Sequence, residues 1–311
     1  MKIVFLDEYS VNTADLSALK ALGDYTGYYN TDPDETAVRC RDAEVVITNK
    51  TKMTREIMAL CPTLKLICIA ATGMNNVDLD AAREMGIEVR NAIGYSTDSV
   101  AEQTFAFALS LLRHLVANDR YVKSGAYTRS RTLFHFGAPI RELHGKRWGI
   151  VGMGHIGRRV AEIAGVFGAT VAYHSTSGRN LDAGYAQLPL DELLRTSDIV
   201  SIHAPLSRVT YNLVDYPQIV QMKETAILIN VARGKIVNEA GLARALNENR
   251  IAGAALDVFA SEPMEPGNPL LTIDDPDKLI LSPHMAWASV EALQVLVDTV
   301  AQNIRDHYRI R

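Results

Sequence analysis

Short apolar runs alternate with stretches of helical spacing along this 311-residue chain. Runs of this length are typical of strands that are buried on both faces of a parallel sheet. Their alternation with helices predicts repeated βαβ units and therefore an α/β fold. The ten runs are KIVFLD (2–7), AEVVITN (43–49), LKLICIA (64–70), IEVRN (87–91), RWGIVG (147–152), ATVAYH (169–174), IVSIHA (199–204), AILINVA (226–232), GAALDVF (253–259) and LILSPH (279–284).

A long segment of helical spacing divides these runs into two groups. Residues 99–122 contain neither Gly nor Pro, and their apolar spacing predicts one continuous helix. A loop-rich arm follows, and a second helix over 288–309 closes the chain. Two domains are also what a chain of this length favours. We therefore predict a first domain formed by residues 1–98 and 285–311, with a second domain, 99–284, inserted into it.

Composition and charge exclude some classes of function. Apolar residues make up 48% of the chain and charged residues 22%, which is typical of a globular protein. The formal net charge is −4 and the basic residues are scattered, so no nucleic-acid partner is expected. No apolar run approaches the roughly 18 residues of a membrane span, and the acidic start of the chain is unlike a signal peptide. We expect a cytoplasmic protein with no membrane partner.

The three cysteines do not indicate a metal site. They show no CxxC pair and no nearby histidine that could complete a metal set. Two of them lie beside apolar runs. We therefore expect buried, reduced thiols and predict no metal site.

A glycine-rich turn follows the strand predicted at 147–152. Gly152, Gly154 and Gly157 form GxGxxG between that strand and a helical stripe. Gly152 permits a tight turn, Gly154 lets the backbone approach a diphosphate, and Gly157 allows close packing of helix on strand. The first residues of the helix, His155 and Ile156, offer backbone N–H groups to the phosphates. This context favours dinucleotide binding over a tight turn of purely structural value.

The next strand ends without the acidic residue that holds the ribose 2′-hydroxyl in NAD-binding proteins. The segment HSTSGR places Ser175, Thr176 and Arg179 there, and the first carboxylate downstream is Asp182. Hydroxyl groups and a guanidinium can bind a ribose 2′-phosphate, which a carboxylate would repel. The segment favours NADP modestly; the alternative is a polar loop that binds NAD less tightly.

Three further segments place titratable residues at or just past the carboxyl ends of predicted strands, where open α/β sheets bind ligands. Arg233 in NVARG can grip a carboxylate and polarise a carbonyl group. Glu262 in DVFASEP and His284 in SPH can form a carboxylate-oriented imidazole suited to proton transfer. Each residue alone also has an ordinary interpretation, as a surface charge or a structural histidine.

Together with GMGHIG, these segments resemble the D-isomer-specific 2-hydroxyacid dehydrogenases over essentially the whole chain. The family pattern of Arg in N-x-A-R-G, Glu in D-V-F-x-x-E-P and His in P-H falls on Arg233, Glu262 and His284. The segments TNKT, ATGMNNVD, YSTDSVAEQTFA and HMAWAS are most similar to the branch of glycerate dehydrogenases and hydroxypyruvate reductases.

The resemblance implies two flavodoxin-like or Rossmann-like parallel-sheet domains, with the nucleotide-binding domain inserted into the substrate domain. It further implies hydride transfer between the nicotinamide of NAD or NADP and C2 of a small 2-keto or 2-hydroxy acid. His284 would exchange the hydroxyl proton, Glu262 would orient His284, and Arg233 would hold the substrate. Further cofactor contacts implied by the family are Val231, His203, Pro205 and Asp257, the last of them with the nicotinamide carboxamide.

Four residues are candidate substrate contacts. Thr72 and Gly73 correspond to the family loop whose backbone receives the substrate carboxylate; the alternative is a simple strand-to-helix turn. Lys50 in TNKT adds charge near that carboxylate or is an ordinary solvated lysine. Trp287 either caps the pocket or is an aromatic residue at a domain interface.

The expected activity is reduction of a small 2-keto acid, with hydroxypyruvate or glyoxylate favoured. The family implies a homodimer formed through the nucleotide-binding domains, and the helix and arm over 99–145 are the matching elements. One alternative is a dinucleotide-sensing, corepressor-like binding protein of the same fold. A second is an enzyme that oxidises formate or phosphite.

Overall fold

The computed structural model describes residues 1–179, 181–182 and 184–310. The chain forms two compact units, Met1–Ser96 with Ala288–Arg311, and Thr97–Trp287. The predicted domain ranges also include Asn180, Ala183 and Arg311, which lie outside the described residues.

Parallel strands and short helices alternate over the first 96 residues. The described strands form one five-stranded parallel sheet in the order β2-β1-β3-β4-β5. Strands β3 and β4 are buried along their whole length, as their continuous apolar sequences require. The elements are β1 Lys2–Phe5, α1 Ser17–Lys20, β2 Asp24–Gly27, α2 Thr36–Cys40, β3 Val45–Thr48, α3 Arg55–Ala59, β4 Leu66–Ile69, α4 Leu79–Glu84 and β5 Glu88–Asn91.

The second unit contains a larger parallel sheet. Its seven described strands run in the order β12-β11-β10-β9-β6-β7-β8. Its elements are α5 Thr97–Arg113, α6 Leu115–Lys123, β6 Arg147–Val151, α7 His155–Val166, β7 Thr170–His174, β8 Ala186–Gln187, α8 Leu190–Thr196, β9 Ile199–Ile202, α9 Tyr216–Ile219, β10 Ile227–Asn230, α10 Glu239–Asn247, β11 Gly253–Leu256 and β12 Leu279–Leu281.

The closing helix α11, Val290–Tyr308, belongs to the first unit. Ser289 caps its start by accepting a hydrogen bond from the backbone N–H of Ala292 at 3.1 Å. One face of α11 is buried and packs against α1 and β4. The chain therefore returns to the first unit after completing the second.

Each of the ten predicted strands is present, and the α/β fold is confirmed. The prediction of one continuous helix over 99–122 is wrong, because His114 adopts a left-handed conformation, φ 50°, between α5 and α6. The break lets the ring of His114 reach the carbonyl oxygen of Pro139, 3.2 Å from Nε2. Apolar spacing continues through such a break, so the pattern does not reveal it.

Two strands, β2 and β8, were not predicted from the sequence. Strand β2, DYTG, lies at the edge of its sheet and is nowhere fully buried, so it lacks an apolar run. Strand β8 has two exposed residues. Cys40, Cys61 and Cys68 are buried free thiols, as expected. None of the helices in the described ranges is long and apolar enough to cross a membrane.

Candidate active site

The three glycines of the turn after β6 differ in how much space the surrounding residues leave for a side chain. Gly152 has a positive φ of 99°, and a Cβ at this position would lie 2.7 Å from the backbone nitrogen of Ala204. A Cβ on Gly157 would overlap the carbonyl oxygen of Gly152. At Gly154, in contrast, a Cβ would meet no heavy atom within 4 Å. Packing therefore requires two of the glycines, and the third borders open space.

That open space lies at the amino-terminal end of α7, a helix of 12 residues. Gly154 is the N-cap residue, and among the described residues no side chain caps this end. The first turn, which contains His155 and Ile156, therefore presents backbone N–H groups and the positive end of the helix dipole. These features fit the diphosphate of a dinucleotide.

The segment that follows β7 has no acidic group at the position where NAD-binding proteins carry one. Ser175 and Thr176 are half-buried, and Arg179 is exposed. The Ser175 Oγ accepts a hydrogen bond from the backbone N–H of Gly178 at 3.1 Å. The next carboxylate, Asp182, is paired with Arg158 at 3.0 Å.

His203 lies just past β9, beside the glycine turn. Its Nε2 is 2.9 Å from the Oγ of Ser201, which also accepts a hydrogen bond from Trp148 Nε1 at 2.8 Å. Its Nδ1 is buried and has no hydrogen-bond partner within the described part of the chain. Burial lowers the pKa of His203 to about 3, so the imidazole is neutral near pH 7. The carbonyl oxygen of Pro205 accepts a hydrogen bond from Thr210 Oγ1 at 2.7 Å.

Glu262 and His284 form a directly hydrogen-bonded pair. The Nδ1 of His284 is 2.7 Å from Oε2 of Glu262. The other carboxylate oxygen, Oε1, accepts a hydrogen bond from the backbone N–H of Phe259 at 2.9 Å. Because the carboxylate accepts a hydrogen bond from Nδ1–H, the Nε2 atom is left as the group that can exchange a proton with a substrate.

The backbone of His284 is held in a left-handed conformation, φ 56°. Its N–H donates to the carbonyl oxygens of Asp257, at 2.8 Å, and Ser282, at 3.0 Å. A non-glycine residue in this conformation is strained by about 1 kcal/mol or more, and such strain clusters at functional sites. The surrounding hydrogen bonds fix the ring of His284 opposite Glu262.

Asp257 organises the same segment with its side chain. Its buried carboxylate accepts hydrogen bonds from the backbone N–H groups of Met285 and Ala286, both at 2.9 Å, and from the hydroxyl of Ser282. Burial raises the pKa of Asp257, and these three hydrogen bonds oppose that shift. The structure thus gives the carboxylate partners within the chain, which the sequence did not indicate.

Arg233 follows β10 in a tightly bonded turn. Its Nη1 donates to the carbonyl oxygen of Ala232 at 2.7 Å, and its own carbonyl accepts from Asn230 Nδ2 at 2.9 Å. Val231 is buried beside it. A Cβ on the following residue, Gly234, would overlap the carbonyl group of Phe259. The turn that carries Arg233 therefore packs directly against the segment that binds Glu262.

Trp287 donates its indole N–H to the carbonyl oxygen of His284 at 2.8 Å. Its ring is half-buried and packs against the core of the second unit. Its two alternative roles, cap of a pocket and aromatic residue at a domain interface, stay predictions. No group of three potential metal ligands occurs among the residues that the structure describes.

In the first unit, the backbone on either side of Lys50 is held by Asp7. The carboxylate of this buried residue accepts hydrogen bonds from the N–H groups of Asn49, Lys50 and Thr51 at 2.8, 2.7 and 2.9 Å. It also accepts from the hydroxyl groups of Thr48, at 3.3 Å, and Thr51, at 3.1 Å. Asp7 is not among the residues predicted from the sequence. The one feature of the sequence that could have indicated it is that a carboxylate ends the apolar run KIVFLD.

The predicted glycine loop after β4 begins at Thr72. The hydroxyl of Thr72 donates to the carbonyl oxygen of Ala92 at 3.0 Å, and its carbonyl accepts from Asn91 Nδ2 at 2.7 Å. Gly73, the next residue, is half-buried. This loop is thus anchored to the segment that includes the end of β5.

Comparison with known proteins gives concordant matches. The family model for the NAD-binding domain of D-isomer-specific 2-hydroxyacid dehydrogenases matches residues 105–286. A hydroxypyruvate reductase of Blautia hydrogenotrophica is 36% identical, with 98% of this chain and 96% of that protein covered. A glycerate dehydrogenase of Methylorubrum extorquens is 36% identical, with 97% and 95% covered.

A solved structure extends the match to three dimensions. It is the crystal structure of an NADPH-dependent glyoxylate/hydroxypyruvate reductase from Sinorhizobium meliloti, which aligns with a TM-score of 0.86 and 28% identity. The alignment covers 99% of this chain and 95% of that chain. The comparisons give no support to the corepressor-like alternative. The chain belongs to the family of D-isomer-specific 2-hydroxyacid dehydrogenases, which are NAD(P)-dependent oxidoreductases.

Proposed function

We propose that the protein reduces small 2-keto acids, with hydroxypyruvate and glyoxylate as the favoured substrates. The observation that carries this proposal is the Glu262–His284 pair, 2.7 Å apart, which leaves the Nε2 of His284 for proton exchange. The substrate class is supported by relatives that are named hydroxypyruvate reductase, glycerate dehydrogenase and glyoxylate reductase.

Three side chains of the second unit have separate roles in the proposed reaction. When bound, the dinucleotide supplies the hydride that C2 of the keto acid accepts. The imidazolium of His284 donates the Nε2 proton to the keto oxygen, and Glu262 stabilises the charged ring and fixes its orientation. Arg233 binds the substrate carboxylate and stabilises the negative charge that develops on the oxygen. The roles expected of Lys50, Thr72 and Gly73 in substrate binding stay predictions.

The cofactor is proposed to be NADP in modest preference to NAD. Ser175, Thr176 and Arg179 offer hydrogen bonds and positive charge to a 2′-phosphate, and Asp182 is engaged by Arg158. The Ser175→Asp variant should shift the ratio of kcat/KM toward NADH by about tenfold, or 1.4 kcal/mol. An unchanged ratio would count against this assignment.

The expected homodimer is supported by the arm between α6 and β6. Leu133, Phe134 and Phe136 there are 75%, 67% and 93% exposed. Clustered apolar side chains of this kind mark protein interaction sites. We expect a dimer in sedimentation experiments and a monomer when Phe134 and Phe136 are both replaced by Ser. The cytoplasmic location and the absence of a nucleic-acid partner stay predictions.

The test of the activity is a set of initial rates. NADPH and NADH oxidation would be measured with hydroxypyruvate, glyoxylate, pyruvate and phenylpyruvate, for the wild type, His284→Ala and the exposed control His144→Ala. Hydroxypyruvate or glyoxylate should be reduced fastest, and His284→Ala should lose about a hundredfold or more in kcat. Cofactor binding without turnover of any keto acid would contradict the proposal, as would turnover of formate or phosphite alone.

A further inference from the structure

A single carboxylate joins the two ends of the loop that carries Glu262. Oε1 of Glu239 accepts a hydrogen bond from the backbone N–H of Ala260 at 2.6 Å, and Oε2 accepts from Asn268 Nδ2 at 2.6 Å. Between these two attachment points, all residues of 260–267 except Met264 are exposed. The loop therefore has little packing of its own to fix its shape.

Glu239 is well placed to act as a fixed anchor. It is the first residue of α10, and Asn238 caps this helix by accepting from the N–H of Gly241 at 3.0 Å. The inner face of α10 is buried in the core of the second unit. Asn268 is also buried, and its Oδ1 accepts from the N–H of Leu270 at 3.0 Å. Glu239 and its partner Asn268 are thus both tied to rigid structure.

The attachment lies next to the carboxylate that faces His284. The N–H of Phe259 donates to Glu262 at 2.9 Å, and the adjacent N–H of Ala260 donates to Glu239. Two successive amides are therefore bound by two carboxylates, one in the loop and one in α10. A displacement of Ala260 would move Phe259 and, with it, the carboxylate of Glu262.

We propose that Glu239 is a positioning residue, which holds the loop over 260–268 so that Glu262 meets Nδ1 of His284. This inference rests on the proposed roles of Glu262 and His284. The charged groups that border Glu239 in the surface groove are Lys235 and Glu265. Within the described part of the chain, the side chains of Lys235 and Glu265 make no hydrogen bond to Ala260 or Asn268, whereas the carboxylate of Glu239 binds both.

The test compares Glu239→Ala and Glu239→Gln with the control Glu265→Ala, an exposed residue of the same loop. Displacement of a catalytic group by about 1 Å can cost up to a hundredfold, so kcat for Glu239→Ala should fall at least about tenfold while KM changes less than about twofold. Glu239→Gln can still accept from Ala260 and should stay within about threefold of the wild type. Glu265→Ala should match the wild type.

Two readouts separate positioning from general destabilisation. The alkaline limb of kcat/KM for keto acid reduction should move to lower pH in Glu239→Ala, in the same direction as in Glu262→Gln. The proton NMR signal of His284 Nδ1–H, measured in the free protein, should be lost in both variants and kept in Glu239→Gln. Circular dichroism would establish that each variant is folded; if Glu239→Ala is not, Glu239→Asp, whose shorter side chain draws the carboxylate back from the N–H of Ala260, takes its place.

The outcomes distinguish this inference from the proposed function. If the wild type turns over no keto acid, the proposed function fails, and the NMR signal still tests the placement of Glu262. If the wild type is active but the folded Glu239→Ala variant keeps its kcat, pH profile and Nδ1–H signal, the positioning role is overturned. A loss of stability with unchanged pH profile and NMR signal would also overturn it.

Discussion

The two parallel sheets differ in what lies at the same topological position of their carboxyl edges. In the first unit β1 lies between β2 and β3, and in the second β6 lies between β7 and β9. Such a position, where connections leave in opposite directions, is where open α/β sheets bind ligands. Asp7 follows β1 and fills the position with a carboxylate. Gly152 and Gly154 follow β6 and leave open space before a helix end.

The difference shows how one scaffold gives both a prearranged loop and a binding site. Three backbone N–H groups converge on Asp7, so the protein supplies its own anion and fixes the backbone of Lys50 before any ligand binds. The N–H groups at the start of α7 have no capping side chain among the described residues and suit an anion from outside the chain. The residue types just past the first strand decide between these outcomes.

The largest expected effect is the loss of stability when the carboxylate of Asp7 is removed. Asp7→Ala would leave the backbone N–H groups of Asn49, Lys50 and Thr51 without their acceptor, which should lower the free energy of unfolding by about 3 kcal/mol. Urea denaturation monitored by circular dichroism measures this change. The exposed control Asp34→Ala should stay within about 0.5 kcal/mol of the wild type. Equal stability of the two variants would show that Asp7 does not hold the loop.

A smaller effect is expected from closing the open space in the second unit. The Cβ of Gly154→Ala has no heavy atom of the described residues within 4 Å, so the variant should fold normally, but the methyl group should lower dinucleotide affinity by about 10- to 100-fold. Isothermal titration calorimetry measures the affinity. Gly165→Ala, in the same helix and equally free of contacts, should bind as the wild type does. Unchanged affinity of Gly154→Ala would place the diphosphate elsewhere.

The smallest effect concerns Asp257, which holds the His284 segment much as Asp7 holds that of Lys50. Because burial raises the pKa of Asp257, the folded state binds a proton more readily than the unfolded state. Its contribution to stability is then complete below the unfolded pKa and is lost as pH rises through the folded pKa. The stability of the wild type relative to Asp257→Asn should decline over that window by at most about 1.4 kcal/mol per pH unit.

Urea midpoints at a series of pH values would measure this trend. The matched control Asp34→Asn, at an exposed position, should parallel the wild type across the series. A wild-type stability that rises relative to Asp257→Asn over the same window would contradict the predicted sign.

Local patterns made most of the fold predictable. Parallel strands inside a sheet need continuous apolar runs, so ten strands could be located from the apolar runs of the sequence. Edge strand β2 could not, because its sequence, DYTG, contains no apolar run. The break at His114 was also hidden, since the apolar spacing of α5 continues into α6.

The sequence by itself determined the parallel α/β architecture and the glycine turn, because each depends on a short run of neighbours. It also predicted, through the family motifs, the three residues Arg233, Glu262 and His284. Only the tertiary structure decided which side chains hold those groups in place. Asp7 and Asn49 are 42 positions apart, and Glu239 and Asn268 are 29 apart. A carboxylate meets hydrogen-bond donors so far along the chain only after the segments between them have folded, so no local pattern encodes the contact.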